Sequence, residues 1–305
     1  MIEKDDIILP LFFKKNILVT GANGQLGSEL RQIAGDFPDF NFLFTTRVDF
    51  PLENAEAIND FFERQQIHYC INCAAYTAVD KAEENREEAF LINAEAPARL
   101  ASFCRDHQAK LIHISTDYVY DGSRHIALKE QDAVAPLNVY GWSKLRGEEL
   151  LLNKNPSALI IRTSWVYSSF GNNFVKTILR LSREKQTLNV INDQFGCPTY
   201  ARNIAGAIMN FIISSENDEQ FQGIFNYCDE GITSWFDFAI AITTISGIEC
   251  EIKPVTTAQY QTPAKRPMYS VLDTTKIKTL LHLKIPSWQQ SLLKCLALID
   301  PNRKA

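Results

Sequence analysis

"KNILVTGANGQLGSELRQIAGDF", residues 15–37, decides the fold. An unbroken apolar run, Ile17-Leu18-Val19, gives way to glycines at 21, 24 and 27, and Leu26, Leu30 and Ile33 then recur at helical spacing. A short continuous apolar run suits a strand buried on both faces; apolar residues every three to four positions suit a helix packed on one. Gly21-Ala22-Asn23-Gly24-Gln25-Leu26-Gly27 joins the two. In that context the glycines let a pyrophosphate approach backbone N–H groups at a helix N-terminus. A ligand-free glycine turn is the plainer alternative, and the strand and helix on either side outweigh it.

Outward from this unit the pattern repeats. "NFLFTT" (41–46), "HYCINCAA" (68–75), "AKLIHIST" (109–116) and "SALIIRTS" (157–164) read as strands. Between them "ENAEAINDFFERQQ" (53–66), the long stretch 79–108 and "LNVYGWSKLRGEELLLN" (137–153) read as helices. Alternating strand and helix predicts an α/β fold: a Rossmann-like doubly wound parallel sheet covered on both faces. After about residue 165 the rhythm loosens into helices separated by loops. The expected organisation is an N-terminal extension at 1–15, an NAD(P)-binding Rossmann domain at 16–165, and a smaller C-terminal substrate-binding α/β domain at 166–305, interleaved with the first.

A net charge of −5 in 305 residues leaves no basic footprint for nucleic acid. No apolar run approaches the roughly 20 residues that span a bilayer, so no membrane partner is expected. The opening "MIEKDDIILPLFFKK" places acids ahead of its apolar patch, unlike a signal peptide. Seven scattered cysteines, an odd number, suit a reducing cytoplasm. Cys70 and Cys73 form a Cys-x-x-Cys, but no second pair stands nearby to complete a metal site.

Three places carry chemistry. The second strand ends in Thr45-Thr46-Arg47, where an enzyme preferring NAD usually presents an acid to the adenosine ribose. Arg47 can pair with a 2′-phosphate and no carboxylate stands in its way, which tilts the cofactor toward NADPH, with NADH as the lesser alternative. Asp49 could instead contact the adenine. The fourth strand ends in Ser115-Thr116-Asp117, on the edge of the sheet where α/β proteins bind ligands. Finally, "PLNVYGWSK" (136–144) sets Tyr140 and Lys144 four residues apart, on one face of a helix. A phenol with a pKa of about 10 donates a proton usefully near neutrality only if its conjugate base is stabilised, and a nearby ammonium does that. Thr116, Tyr140 and Lys144 together form a carbonyl-reducing set: Tyr140 protonates the oxygen, Thr116 donates to it, and Lys144 supports Tyr140 and can hold the nicotinamide ribose.

These residues resemble those of the extended short-chain dehydrogenase/reductase superfamily and, within it, the dTDP-4-dehydrorhamnose reductase family. The resemblance runs from about residue 15 to near the C-terminus. It is carried most specifically by "PLNVYGWSK", "IRTSWVY", "GNNFVKTILRL", "DQFGCPTYA" and "TPAKRPMYSVLDT", in that order. It implies reduction of the 4-keto group of dTDP-4-dehydro-β-L-rhamnose, the last step of dTDP-L-rhamnose synthesis, with a dTDP-sugar as partner. It implies cofactor contacts at Gly24, Gln25, Leu26, Asp49, Ala75, Tyr76, Thr77, Tyr140 and Lys144. It implies a substrate site of Thr116, Asp117 and Trp165 with Val79 near the sugar, and nucleotide-diphosphate contacts around Asn173, Gln194 and Arg266. Some relatives hold Mg²⁺ with glutamates at a dimer contact. Glu29 matches one such position, but Arg202 occupies another, and a cation against a cation site argues against both the metal and that dimer. A homodimer is compatible with the resemblance but not required by it.

The enzymatic rival is a nucleotide-sugar dehydratase or epimerase. Dehydratases of this branch resemble Thr-Asp-Glu after the fourth strand, where this chain has Thr116-Asp117-Tyr118. Tyr118, adjacent to Asp117 on leaving a strand, is expected to turn away from the substrate. A non-catalytic, dinucleotide-binding regulatory subunit is the rival from another class. Such a role would release Tyr140 and Lys144, and both are present.

Overall fold

The computed structural model describes residues 14–214 and 222–300. The expected extension at 1–15 therefore lies almost wholly outside the described residues. Strands β1 (Lys15–Thr20), β2 (Phe40–Phe44), β3 (Tyr69–Asn72), β4 (Lys110–Thr116) and β5 (Leu159–Thr163) join the later strand Gly223–Asn226 in one six-stranded sheet. Its order is Gly223–Asn226, β5, β4, β3, β1, β2, and every pairing is parallel.

Side-chain alternation explains why the strands are apolar throughout. Ile17, Val19, Tyr69, Ile71, Ile112, Leu159 and Ile161 enter one core, and Leu18, Cys70, Leu111 and Ile160 enter the other. The first core is closed by helix α1 (Gln25–Ile33), and the second by α2 (Ala55–Arg64) and, further along the chain, Ala96–Asp106 and Val139–Lys154. Each fully buried Ile or Leu contributes roughly 1.5–3 kcal/mol, so the sheet is the rigid frame of the molecule. The order reverses between β1 and β3, which opens a crevice at their carboxyl ends.

The helical stretch expected over 79–108 is broken. It forms α3 (Val79–Ala82), α4 (Arg86–Phe90), a π-helical turn at Leu91–Glu95, and α5 (Ala96–Asp106). Pro97 lacks the N–H that would continue the ladder, and the widened turn before it swings Asn93 fully inside. Helix α6 (Val139–Lys154) passes so close to this turn that a Cβ on Gly147 would lie 2.0 Å from the Asn93 carbonyl oxygen.

Beyond β5 a second core gathers around Tyr167, Val175, Ile178, Phe238, Trp288 and Leu292, carried by α7 (Phe174–Glu184) and the helices Trp235–Ser246 and Trp288–Ile299. Here strands are short: Val166–Tyr167 pairs with Thr199–Tyr200, and Thr187–Ile191 with Glu251–Val255. Between these pieces the chain returns to the large sheet. Helix α8 (Ala201–Ser214) buries Ile204, Ile208 and Phe211 in the same core as α1, and Gly223–Asn226 pairs with β5. Among the described residues no helix is long and apolar enough to cross a membrane.

Candidate functional site

The crevice at the β1/β3 switch is a cavity of about 470 Å³ lined by Gly21, Gly24, Arg47, Glu53, Ala74 and Ala75, among others. Its floor depends on glycine. Gly21 has a φ of +64°, and a Cβ there would lie 2.7 Å from the Ala74 nitrogen. A Cβ on Gly27 would fall 2.6 Å from the Gly21 carbonyl oxygen, so only glycine lets α1 start this close to the strand. Gly24 is the N-cap of α1 and caps it with no side chain, leaving the first-turn N–H groups facing the crevice rim. A cradle that any larger residue would fill, at a helix N-terminus, suits a dinucleotide pyrophosphate.

Leu26 sends its side chain into the core, so what it can offer a cofactor is backbone. Gln25 accepts from Asn173 Nδ2 at 2.9 Å and tethers the glycine turn to α7. Asn173 is fully engaged: Nδ2 also donates to Ser168 O, and Oδ1 caps α7 by accepting from Lys176 N. On the far wall Ala75, Tyr76 and Thr77 follow β3, with Tyr76 N–H donating to Asn93 Oδ1 and Asn93 Nδ2 donating back to Tyr76 O and to Ser143. The buried amide of Asn93 thus fixes the cofactor-side loop to α6.

The second-strand rim differs from the expectation that no carboxylate stands near Arg47. Arg47 Nε donates to Glu53 at 2.9 Å, and Glu88 lies 3.8 Å from the same guanidinium. Asp49 turns to its own loop, accepting from the N–H and hydroxyl of Thr46, and those bonds hold its carboxyl below the ordinary value.

At the carboxyl end of β4 the reactive groups converge. Asn138 caps α6 by accepting from Gly141 N, and Gly141 packs where a Cβ would meet the Tyr118 carbonyl at 2.3 Å. This close docking brings Tyr140 to Thr116. Burial pushes the Tyr140 phenol up to about 12, the Thr116 hydroxyl beside it draws it back, and Asp117 pushes it further up. Asp117 is buried, and that burial lifts its carboxyl to about 7 against the hydrogen bonds from Ser270 and Thr116. Its Oδ2 has no partner within the protein, an acceptor aimed at nothing the chain supplies.

Lys144 is almost wholly buried, and Nζ touches Ile114 O at 2.7 Å and His113 Nε2 at 3.1 Å. Burial brings its ammonium down to about 8, with Glu148 opposing the shift. Here Nζ is held by β4, and the polar groups acting on the Tyr140 phenol are Thr116 and Asp117.

Tyr118 is corrected as well. Its ring packs edge-on to Tyr140, with centroids 5.7 Å apart, because the chain enters a short 3₁₀ turn at Asp117 and does not continue as a strand. Arg266 stands beside Tyr118 and is held by Asp80 at 2.7 Å and by Thr262, next to Val79 at the start of α3. Trp165, with φ +47°, stacks on Trp235 at 3.4 Å and closes over Gly196. Gln194 is buried with its amide on Thr257. The structure thus brings Thr116, Asp117, Tyr140, Tyr118 and Arg266 into one chain of neighbours, while Asn173 and the Gln194 amide nitrogen are engaged by neighbouring loops.

Several contributors went unread in the sequence: His113, Asn72, Asn93, Glu53, and the buried set Ser115–Glu148–Arg162. In that set Arg162 Nη2 lies 2.6 Å from Glu148, which also accepts from Ser115 at 2.5 Å. A signal existed in polar residues set within otherwise apolar strands. The Mg²⁺ position is occupied by the chain's own charge: Glu29 is buried, accepts from Ser168 and pairs with Arg202 at 2.8 Å. A carboxylate already neutralised this way does not suit a divalent cation.

Residues 15–300 match the family model described as the RmlD substrate binding domain. The chain is 39% identical over 285 residues to the dTDP-4-dehydrorhamnose reductase of Aggregatibacter actinomycetemcomitans, covering 90% of this chain and 96% of that one. Among solved structures, a dTDP-4-dehydrorhamnose reductase from Clostridium acetobutylicum superposes with a TM-score of 0.88 at 39% identity, covering 93% of this chain and 99% of that one. The Bacillus anthracis dTDP-4-dehydrorhamnose reductase in complex with NADP gives a TM-score of 0.89 at 34% identity, with the same coverage of both chains.

Proposed function

The chain belongs to the RmlD family of dTDP-4-dehydrorhamnose reductases, and from that premise we propose that it reduces the 4-keto group of dTDP-4-dehydro-β-L-rhamnose with NADPH, giving dTDP-L-rhamnose. The observation that carries the proposal is the placing of Tyr140 beside Thr116 at the carboxyl end of β4, in the same sheet whose β1/β3 crevice holds the glycine cradle. When bound, the reduced nicotinamide supplies the hydride. Tyr140 supplies the proton to the carbonyl oxygen, and the Thr116 hydroxyl hydrogen-bonds the same oxygen as negative charge develops there. Burial keeps the phenol in its proton-bearing form, and the alkoxide left by hydride transfer is basic enough to take that proton even from a weakened acid. In this reading Lys144, whose Nζ starts against β4, holds the nicotinamide ribose when the cofactor is bound.

Asp117 holds a sugar hydroxyl in this reading, and its unpartnered Oδ2 is the supporting feature. In the same reading Trp165, stacked on Trp235, belongs to the sugar site, and Arg266, held by Asp80, serves the nucleotide diphosphate. Dehydration would need a second acid–base group beside Asp117. Tyr118 occupies that position, and burial pushes its phenol further up, away from any use as a base at neutral pH. The test is to supply the 4-keto sugar nucleotide with NADPH and identify the product by NMR. One NADPH consumed per rhamnosyl product is expected. Formation of a 4-keto-6-deoxy sugar from dTDP-glucose, with no net cofactor consumption, would make the chain a dehydratase.

A further inference from the structure

The hydrogen bonds behind Lys144 have a fixed direction. Ala74 N–H can only donate, and it donates to Asn72 Oδ1, which also takes the Thr20 hydroxyl at 2.7 Å. The Asn72 amide is therefore oriented with Nδ2 outward, and Nδ2 meets His113 Nδ1 at 3.0 Å. An N–H facing Nδ1 leaves the neutral imidazole its one proton on Nε2. That nitrogen lies 3.1 Å from Lys144 Nζ. An ammonium there would set two donors head to head, whereas an amine has a lone pair to accept.

We propose that His113 is a positioning residue: it donates its Nε2–H to Lys144 whenever that side chain is an uncharged amine, parking it against β4, and releases it toward the nicotinamide ribose when it takes a proton. This rests on the reading that Lys144 serves the cofactor. His113 cannot yield by changing tautomer, since Asn72 is locked by two donors. Nor can it yield by charging, since burial and the nearby Lys144 hold its pKa well below the ordinary histidine value. Ile114 O stays available to Nζ in either state.

The charged surroundings leave His113 in control. Along α6, Tyr140 lies one turn before Lys144 and Glu148 one turn after, with Glu148 already engaged by Arg162 of β5 and Ser115 of β4. Glu83 binds Val139 N at the start of the helix. Asp117 faces Tyr140 from the turn after β4. From the π-helical turn the facing group is the uncharged amide of Asn93, bonded to Ser143. The direct polar contact to Nζ from a titratable group is His113.

Two measurements test this. In cofactor-free protein with ¹⁵N-labelled histidines, long-range ¹H–¹⁵N correlation reads the tautomer directly, with the His113 signal identified by its loss in His113→Gln. An Nε2-protonated neutral ring is expected; an Nδ1-protonated or charged ring overturns the proposal. The second is NADPH affinity against pH, followed by fluorescence in the absence of substrate. If the ammonium is the binding form, wild-type affinity should fall about thirty-fold between pH 7 and 9.5. His113→Leu, freed of the opposing N–H but still buried, should move the midpoint of that loss to higher pH, while His113→Gln, which keeps an N–H donor, should behave like wild type. An equal loss in His113→Leu, or an earlier one, overturns the proposal, the latter because His113 would then be accepting from Lys144. Absence of NADPH binding at pH 7 would count against the proposed function instead, and the tautomer would still decide the role of His113.

Discussion

Cofactor choice turns on two side chains six residues apart, and its size can be worked from their exposure. Arg47 and Glu53 form an ion pair at 2.9 Å with side chains 62% and 34% exposed. Such a pair is worth about 0.2–1 kcal/mol, because water and salt screen it and two long side chains must be ordered. A charge-assisted contact from Arg47 to a 2′-phosphate is worth about 1.5–3 kcal/mol. Taking the phosphate means leaving Glu53, so the net advantage of NADPH is the difference, about 0.5–2.8 kcal/mol, or roughly two- to a hundred-fold in kcat/KM. Glu53 also brings a negative charge toward the phosphate, which pulls the figure to the lower end.

The assay is kcat/KM with NADPH and NADH at one substrate concentration and two ionic strengths. Glu53→Gln should widen the NADPH preference by about two- to ten-fold, since the competing carboxylate is gone. Arg47→Ala should abolish the preference and favour NADH, leaving Glu53 to accept from a ribose hydroxyl as an acid does in NAD enzymes. Raising salt should shrink the wild-type preference, because both partners face solvent. Wild type using both cofactors equally, with Arg47→Ala unchanged, would refute the reasoning and send the 2′-phosphate elsewhere.

Tyr140→Phe should leave the NADPH dissociation constant within about two-fold while cutting turnover by at least ~10²-fold, as expected for loss of a general acid; turnover within a few-fold of wild type would assign the proton to another group. Asp117→Asn should stabilise the free protein at high pH: the folded carboxyl sits at about 7 against 3.8 ordinarily, so its contribution is intact below pH 4 and lost as pH rises through 7. The upper bound is roughly 4 kcal/mol, read as a Tm gain at pH 8 that vanishes near pH 4, alongside a raised KM for the sugar; a Tm gain independent of pH would contradict the burial argument. Glu148→Gln leaves the Arg162 guanidinium buried without its carboxylate, and urea unfolding should show a loss of about 3–5 kcal/mol.

How much of this was legible depends on how far apart the partners lie in the chain. The large sheet was readable because Ile17-Leu18-Val19 and its counterparts feed two cores at once, and a strand buried on both faces must be apolar at every position. The glycine cradle was readable for a similar reason: no other residue fits where a Cβ would strike Ala74. The small core was not, since strands such as Val166–Tyr167 and Thr199–Tyr200 are two residues long and have no period. The break in the helix at 91–95 left only Pro97 as a sign, and its consequence, the inward Asn93, needs Gly147 from another helix to make sense.

The site divides along the same line. Tyr140 and Lys144 announce themselves because one helix holds both. Burial moves both groups, and their polar neighbours come from elsewhere in the chain: Thr116 and Asp117 act on the phenol, and His113, oriented by the Asn72–Ala74 bonds, meets the amine. A Tyr-x-x-x-Lys spacing suggested that the ammonium tunes the phenol directly. In the folded chain β4 stands between those roles, giving the Thr116 hydroxyl to Tyr140 and the His113 imidazole to Lys144, so two residues one turn apart meet two positions three residues apart on a single strand. Substitutions on β4 should therefore shift the two groups independently: Thr116→Val should alter turnover without changing the pH at which NADPH binding weakens, and His113→Leu should do the reverse to that binding. Parallel shifts in both variants would mean that Tyr140 and Lys144 titrate as one unit after all.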